Sequence, residues 1–157
     1  MKFVAVEDIA APLDQVWPHV SDLEGFERRA TRRAGRVTRT PPGPAGQGTV
    51  WTTRADVMGK KRDLTVTLTE LDAPGRLCAE AATDGMSITL LVELVAQAPR
   101  LTRLTVTTEA RARSLAARLM LQSAKLARQT LAKRYKSRVS DFATQVEEAV
   151  AKAGARP

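Results

Sequence analysis

One histidine, one cysteine and one tyrosine occur in this chain of 157 residues, so the side chains able to move a proton near neutrality or act as nucleophiles are few. His19 follows Pro18 directly in a short helical stretch; general acid–base work would require a partner within hydrogen-bond reach, and its place suits an exposed or capping role better. Cys78 alternates out of phase with Leu77 and Ala79 in a strand-like run, and without an adjacent base or cation its thiol is a bystander. A single cysteine excludes an internal disulfide and a cysteine-built zinc site, and a single histidine excludes a His-rich metal centre, so no cofactor is expected. Arg54 and Asp56 share one face of a strand and, with Tyr135, could orient or polarise a carbonyl; Arg54 can equally pair with Asp56 or with a neighbouring strand. The run "GPAGQG" lacks the Lys-Ser or Lys-Thr of a phosphate loop and leads into a strand where such a loop needs a helix N-terminus. "MGKKRD" reads as a solvated basic hairpin tip.

Positioning these groups falls to elements that the pattern of apolar residues predicts. "KFVAVEDI" is a strand. Pro12 suits a first helical position, and "PLDQVWPHVSD" places Val16, Trp17 and Val20 at helical spacing. Pro18 removes the bond to the Asp14 carbonyl, so this helix is kinked or ends early, followed by a second short turn across "LEGFERR" and a basic exit. From Arg33 the period becomes two: "GRVTRT", "TVWTTRADV", "DLTVTLTEL", "RLCAEAAT", "SITLLVELVA" and "RLTRLTVTTEAR" alternate as strands, separated by "PPGPAGQG", "MGKK", "DAPG", an Asp-Gly hairpin at "TDGM", and "QAPR". Six or seven strands in all make a meander. The stretch from Arg113 to Gly154, free of proline and rich in Ala, Leu, Arg and Lys, predicts one long helix. Its broad apolar face runs through Ala117, Leu121, Ala124, Leu131, Tyr135, Val139, Phe142 and Val146, while Leu115, Leu119 and Leu126 lie nearly opposite and form a surplus apolar face.

The length is that of one domain spanning residues 1–157. Composition is 43% apolar and 27% charged, with no run near the roughly 18 apolar residues of a membrane span. Glu7 and Asp8 interrupt what would be the apolar part of a signal peptide, which predicts a cytoplasmic protein. Net charge is +8, with six arginines between Arg28 and Arg39 and nine Lys or Arg between Arg111 and Arg138. That asymmetry favours anionic surfaces, or it is an arginine-rich decoration without a partner.

Strand, two small helices, antiparallel sheet and C-terminal helix make an α+β arrangement. The opening "IAAPLDQVWPHVSDLEGF", with its Ala-Pro pair, Val-Trp helix and following Asp22, and the Gly46-Gln47-Gly48 before the third strand, resemble the START-like superfamily. These helix-grip proteins are also called polyketide cyclase/dehydrase and lipid-transport-like proteins. Pro18 and the arginine-rich stretch depart from the pattern. The resemblance implies a curved antiparallel sheet wrapped around a long C-terminal helix, two short helices plugging one end, and an apolar cavity between sheet and helix. Alternation offers Trp51, Thr53, Val66, Leu68, Met86, Ile88 and Leu90 as its inward residues, with Leu121, Ala124, Leu131 and Tyr135 from the helix and Phe26 at the entrance. The small residues Ala79, Ala81, Ala117 and Ala124 would leave it space.

The function expected from the resemblance is sequestration or transport of a hydrophobic or amphipathic small molecule or lipid, admitted by movement near Phe26 and "PPGPAGQG". Two alternatives stay open. One is an aromatase/cyclase-type enzyme, in which Arg54, Asp56 or Tyr135 would assist an aldol-type ring closure. The other is a basic interaction module, in which the cationic residues and leucines of the last helix meet an anionic membrane surface, a partner protein, the same helix of a second copy in a homodimer, or the ribosome or RNA. RNA is the least favoured of these, since aromatic residues are only 4% of the chain and no basic-aromatic interleaving is present to stack bases.

Overall fold

The computed structural model describes residues 1–57 and 59–155; Met58, in the basic "MGKKRD" tip, lies outside the described residues. β1 (Lys2–Ile9) buries Ala5 and Ile9, and α1 (Leu13–Val20) starts directly after Pro12. Pro18 sits inside α1, and the helix ends two residues later, where Ser21 closes the last turn through its backbone N–H and its hydroxyl onto the Trp17 carbonyl, at 2.9 and 2.8 Å. The second helix is longer than its sequence suggests: α2 (Leu23–Ala34) takes in the arginines from Arg28 to Arg33 that read as a basic exit. Asp22 caps it, its Oδ1 accepting from the Gly25 N–H at 3.1 Å.

Six further strands follow: β2 (Val37–Thr40), β3 (Val50–Val57), β4 (Lys60–Asp72), β5 (Arg76–Thr83), β6 (Met86–Ala98) and β7 (Leu101–Ala112). The sheet order is β1-β7-β6-β5-β4-β3-β2, each neighbouring pair antiparallel, so the meander holds throughout and only β1 crosses, to the far side of β7. The Asp84-Gly85 hairpin has positive φ at both residues, 25° and 73°, the geometry a tight two-residue turn needs. A register shift between Leu68 and Glu70 bends β4 against β5.

The C-terminal helix is two helices. α3 (Leu115–Leu126), capped by the Ser114 hydroxyl on the Ala117 N–H at 3.1 Å, stops at Ala127, and α4 (Arg128–Ala155) begins one residue later. α4 carries the main packing. Its Val139, Ala143 and Val146 form one core cluster with Ala5, Ile9, Val16, Val20, Leu94 and Leu104, so β1, β7, α1 and α4 make a single packed unit. A smaller cluster of Leu23, Leu68 and Leu77 lies under α2, and Trp17 and Val92 pack against both. No described helix is long and apolar enough to cross a membrane.

Candidate functional site

Between these two clusters lies a cavity of about 480 Å³. Its floor is the inward face of the sheet, supplied by period-two alternation: Val66 and Leu68 of β4, Leu77 and Ala79 of β5, Leu90 and Val92 of β6, Leu104 and Val106 of β7. Ala79 stands in register between Leu68 and Leu90, and its missing side-chain volume deepens the floor there. Phe26 and Ala30 of α2 and Tyr135, Val139 and Phe142 of α4 close the other side. On that side Phe26 and Phe142 meet, ring centroids 6.3 Å apart, and Arg29 covers the Phe26 ring at 4.6 Å.

The cavity's polar atoms are largely engaged by the protein itself. Trp51 Nε1 donates to Glu27 Oε2 at 3.1 Å, and the same carboxylate pairs with Arg39 at 3.3 Å. Thr53 Oγ1 donates to the Arg36 carbonyl at 2.6 Å. Tyr135 Oη lies 3.0 Å from both the Val106 carbonyl and Thr108 Oγ1; its single proton goes to the carbonyl, and the threonine hydroxyl then donates to it. Burial pushes the Tyr135 phenol above its ordinary range, offset in part by the Thr108 bond, so it stays neutral. Arg138 borders the cavity as a cation with no acid partner among the described residues.

On the sheet side of α2, Glu24, Glu27, Arg28, Thr31, Arg32 and Arg39 border a second hollow of about 320 Å³. Its acids are already paired: Glu24 Oε1 takes the Arg39 guanidinium and the Ala45 N–H, each at 3.2 Å. Those bonds, the backbone bond most of all, hold the Glu24 carboxyl below the usual carboxylate range. This hollow is a charged surface groove, whereas the larger cavity is the one built to take an apolar body.

Of the residues singled out in the sequence, Phe26, Trp51, Thr53, Val66, Leu68, Leu90 and Tyr135 come together around the cavity. Met86 and Ile88 share the inward face of β6 but lie nearer the Gly85 hairpin and do not border it. Leu121, Ala124 and Leu131 do not border it either, because the break at Ala127 divides the helix and the wall comes from α4 beyond Tyr135. Of the small residues, Ala79 lines the cavity, Ala81 and Ala124 do not, and Ala117, on the inner side of α3, is fully buried without bordering it. Glu27, Ala30, Arg138, Val139 and Phe142 were not singled out as site residues; Val139 and Phe142 follow Tyr135 at four and seven residues, the signal that could have found them.

The candidate chemical groups fare differently. Arg54 and Asp56 point to solvent, Arg54 pairing with Asp63 across the β3–β4 hairpin at 3.3 Å, so neither reaches the cavity. Cys78 is on the opposite face of β5 from Leu77 and Ala79, and His19 does not border the cavity. The "PPGPAGQG" loop, expected to move, is tied down in its second half. The Gly48 N–H donates to the Leu68 carbonyl at 2.7 Å, and Gln47 Oε1 accepts from the Leu71 N–H at 3.0 Å. No three metal-ligating side chains gather among the described residues.

Comparison with known proteins agrees with this architecture. The family model described as polyketide cyclase / dehydrase and lipid transport matches residues 1–147. None of the curated proteins matches the chain in sequence. Among solved structures, the ZhuI aromatase/cyclase from Streptomyces sp. R1128 is similar with a TM-score of 0.65 at 19% identity, over 96% of this chain and 95% of that one. Norcoclaurine synthase from Thalictrum flavum, solved with dopamine and hydroxybenzaldehyde, gives 0.65 at 12% identity, over 97% and 87%. A protein from Thermus thermophilus gives 0.62 at 18% identity, over 95% and 99%. At these identities the likeness is one of fold.

Proposed function

Because this chain belongs to the polyketide cyclase / dehydrase and lipid-transport family, we propose that it binds a hydrophobic or amphipathic small molecule in the cavity between sheet and α4 and sequesters or carries it. The observation that carries this reading is the cavity itself: about 480 Å³, walled by aliphatic and aromatic side chains from nine elements, within the roughly 300–1,000 Å³ of small-molecule sites. Binding replaces water against those walls, and the free energy gained scales with the apolar surface covered. Phe26, 39% exposed and packed against Phe142 and Arg29, is the side chain whose rotation admits the ligand.

Binding is favoured over cyclisation by the state of the polar groups. The Tyr135 proton is committed to the Val106 carbonyl, and Glu27 is neutralised by Arg39 while holding Trp51. A general acid or base needs a proton or lone pair free to meet the substrate. Arg138 is the polar contact left for a ligand's anionic or carbonyl end.

Two measurements test the reading. Native against denaturing mass spectrometry of freshly purified protein, with an organic extract alongside, identifies an occupant carried through purification. Titration with the fluorophore anilinonaphthalene sulfonate supplies an apolar probe independent of the host's metabolites. It is expected to bind one to one, and Ala79→Phe, which fills the floor between Leu68 and Leu90, to weaken it by about tenfold or more while unfolding stays cooperative. Equal probe affinity in the filled variant would sink the assignment of the cavity.

A further inference from the structure

α3 is apolar on two sides, and the sheet uses only one of them. Ala117 is fully buried on the inner side, with Met120, Leu121 and Ala124 partly covered. Leu115, Leu119 and Leu126 fall within about 40° of one another on a helical projection and nearly opposite Ala117. They are 74%, 57% and 93% exposed, a ridge of three leucines projecting from the molecule. Arg118 and Lys125, next in sequence to Leu119 and Leu126, flank this ridge on one side, and Arg128 follows at the start of α4. From Arg111 to Arg138 the chain carries nine cations and no acid.

We propose that this outer face of α3 docks the protein on a lipid bilayer carrying anionic headgroups. A second copy of the chain would bring the same uncompensated positive charge to the contact. Single-stranded RNA is held on aromatic side chains that stack its bases, and α3 has none, while three exposed leucines add nothing to a phosphate contact. The three leucines form a convex ridge, a shape that the fluid acyl boundary accepts without a matching surface. The helix has 12 residues, about 18 Å, too short to span and suited to lie in the interface plane, leucines inward and Arg118 and Lys125 at headgroup level. This contact is independent of what the cavity holds.

The full-length protein is floated with vesicles of phosphatidylcholine containing about 30 mol% phosphatidylserine, and with phosphatidylcholine vesicles alone. Binding is expected only with phosphatidylserine, falling steeply as salt rises. Leu126→Asp and the pair Arg118→Glu with Lys125→Glu are each expected to weaken it by about tenfold. Leu126 is so exposed that its replacement leaves packing untouched, which circular dichroism verifies. In Leu126→Trp the indole emission shifts to the blue on vesicles and is quenched by brominated lipid chains. No binding, binding to neutral vesicles alike, or binding that Leu126→Asp leaves unchanged would each overturn the proposal, the last pointing to adsorption through the α2 arginines. So would a dimer or an RNA complex that Leu126→Asp dissolves.

Discussion

Tyr135 joins the roof of the cavity to its floor. Its ring packs on Phe3 with centroids 5.6 Å apart, and its hydroxyl reaches across to β7 through the Val106 carbonyl and Thr108. As a strut it contributes stability; as a catalyst it would govern turnover, and one substitution separates the two. Tyr135→Phe is expected to cost about 1 kcal/mol through the lost hydroxyl bonds and to leave probe affinity within about threefold, since the cavity wall keeps its ring. Urea unfolding and probe titration of the same variant read both. Burial also raises the Tyr135 phenol pKa in the fold. The native state therefore holds that proton more tightly than the unfolded chain does, and its contribution is complete below the unfolded value of about 10 and lost as pH rises through the higher folded value. Because this is the only tyrosine, phenolate absorbance titrates it directly. A midpoint at or below about 10 would contradict the buried, bonded hydroxyl.

α2 closes one side of the cavity, and its start depends on a contact between Asp22 and Gly25. A Cβ at Gly25 would collide with the Asp22 carboxylate that caps the helix. Gly25→Ala thus sets a gain in helix propensity of about 1 kcal/mol against loss of a cap worth about as much and the strain of the collision, and is expected to destabilise. In an Asp22→Ala background the obstacle is gone, and the same substitution is expected to stabilise by about 0.5–1 kcal/mol. A cycle of four urea midpoints checks this reversal of sign; additive effects would refute it. This cap also explains physically why an acid follows the Val-Trp helix in the opening motif. The strands were legible because a sheet with one wet face writes its period into the sequence, as Leu64, Val66 and Leu68 do against Thr65 and Thr67. The break at Ala127 was not legible: the segment Lys125–Thr130 is exposed throughout, with neither proline nor glycine to mark a stop. Beyond it α4 packs along β1, and Glu147 accepts the N–H of Ala10, the residue after β1, at 2.7 Å. Leu121, Ala124 and Leu131 were placed at the cavity by continuing one straight helix through that break. Arg28 to Arg33 read as an exit because arginines carry no apolar period, although they favour a helix once Asp22 has started it.

At the scale of the molecule the cavity divides the core unevenly. On one side α4 and α1 lock onto β1, β6 and β7 through Ile9, Val16, Leu104, Val139 and Val146. On the other, α2 and the strands out to β2 at the sheet edge rest on the small cluster of Leu23, Leu68 and Leu77, helped by the surface pairs of Arg39 with Glu24 and Glu27. The Glu24 pair is half exposed and contributes little. The Glu27 pair, though mostly covered, ties α2 only to β2 and β3 and not to the larger cluster, so the α2–β2–β3 side is the region that opens locally at least cost. A ligand seated in the cavity touches both sides and supplies the apolar contacts the smaller cluster lacks. Amide exchange is therefore expected to be fastest at β2, β3 and α2 and slowest in β7 and the Val139–Val146 part of α4. Saturation with the extracted occupant or the fluorescent probe should slow exchange chiefly on the α2–β2–β3 side. At a free concentration a hundred times Kd the gain is about 2.7 kcal/mol, which raises the melting temperature of a domain of this size by about 5–10 °C. If ligand protects β1, β7 and α4 instead and leaves α2 exchanging as before, the molecule does not open between α2 and α4, and the Phe26–Phe142 contact is not its entrance.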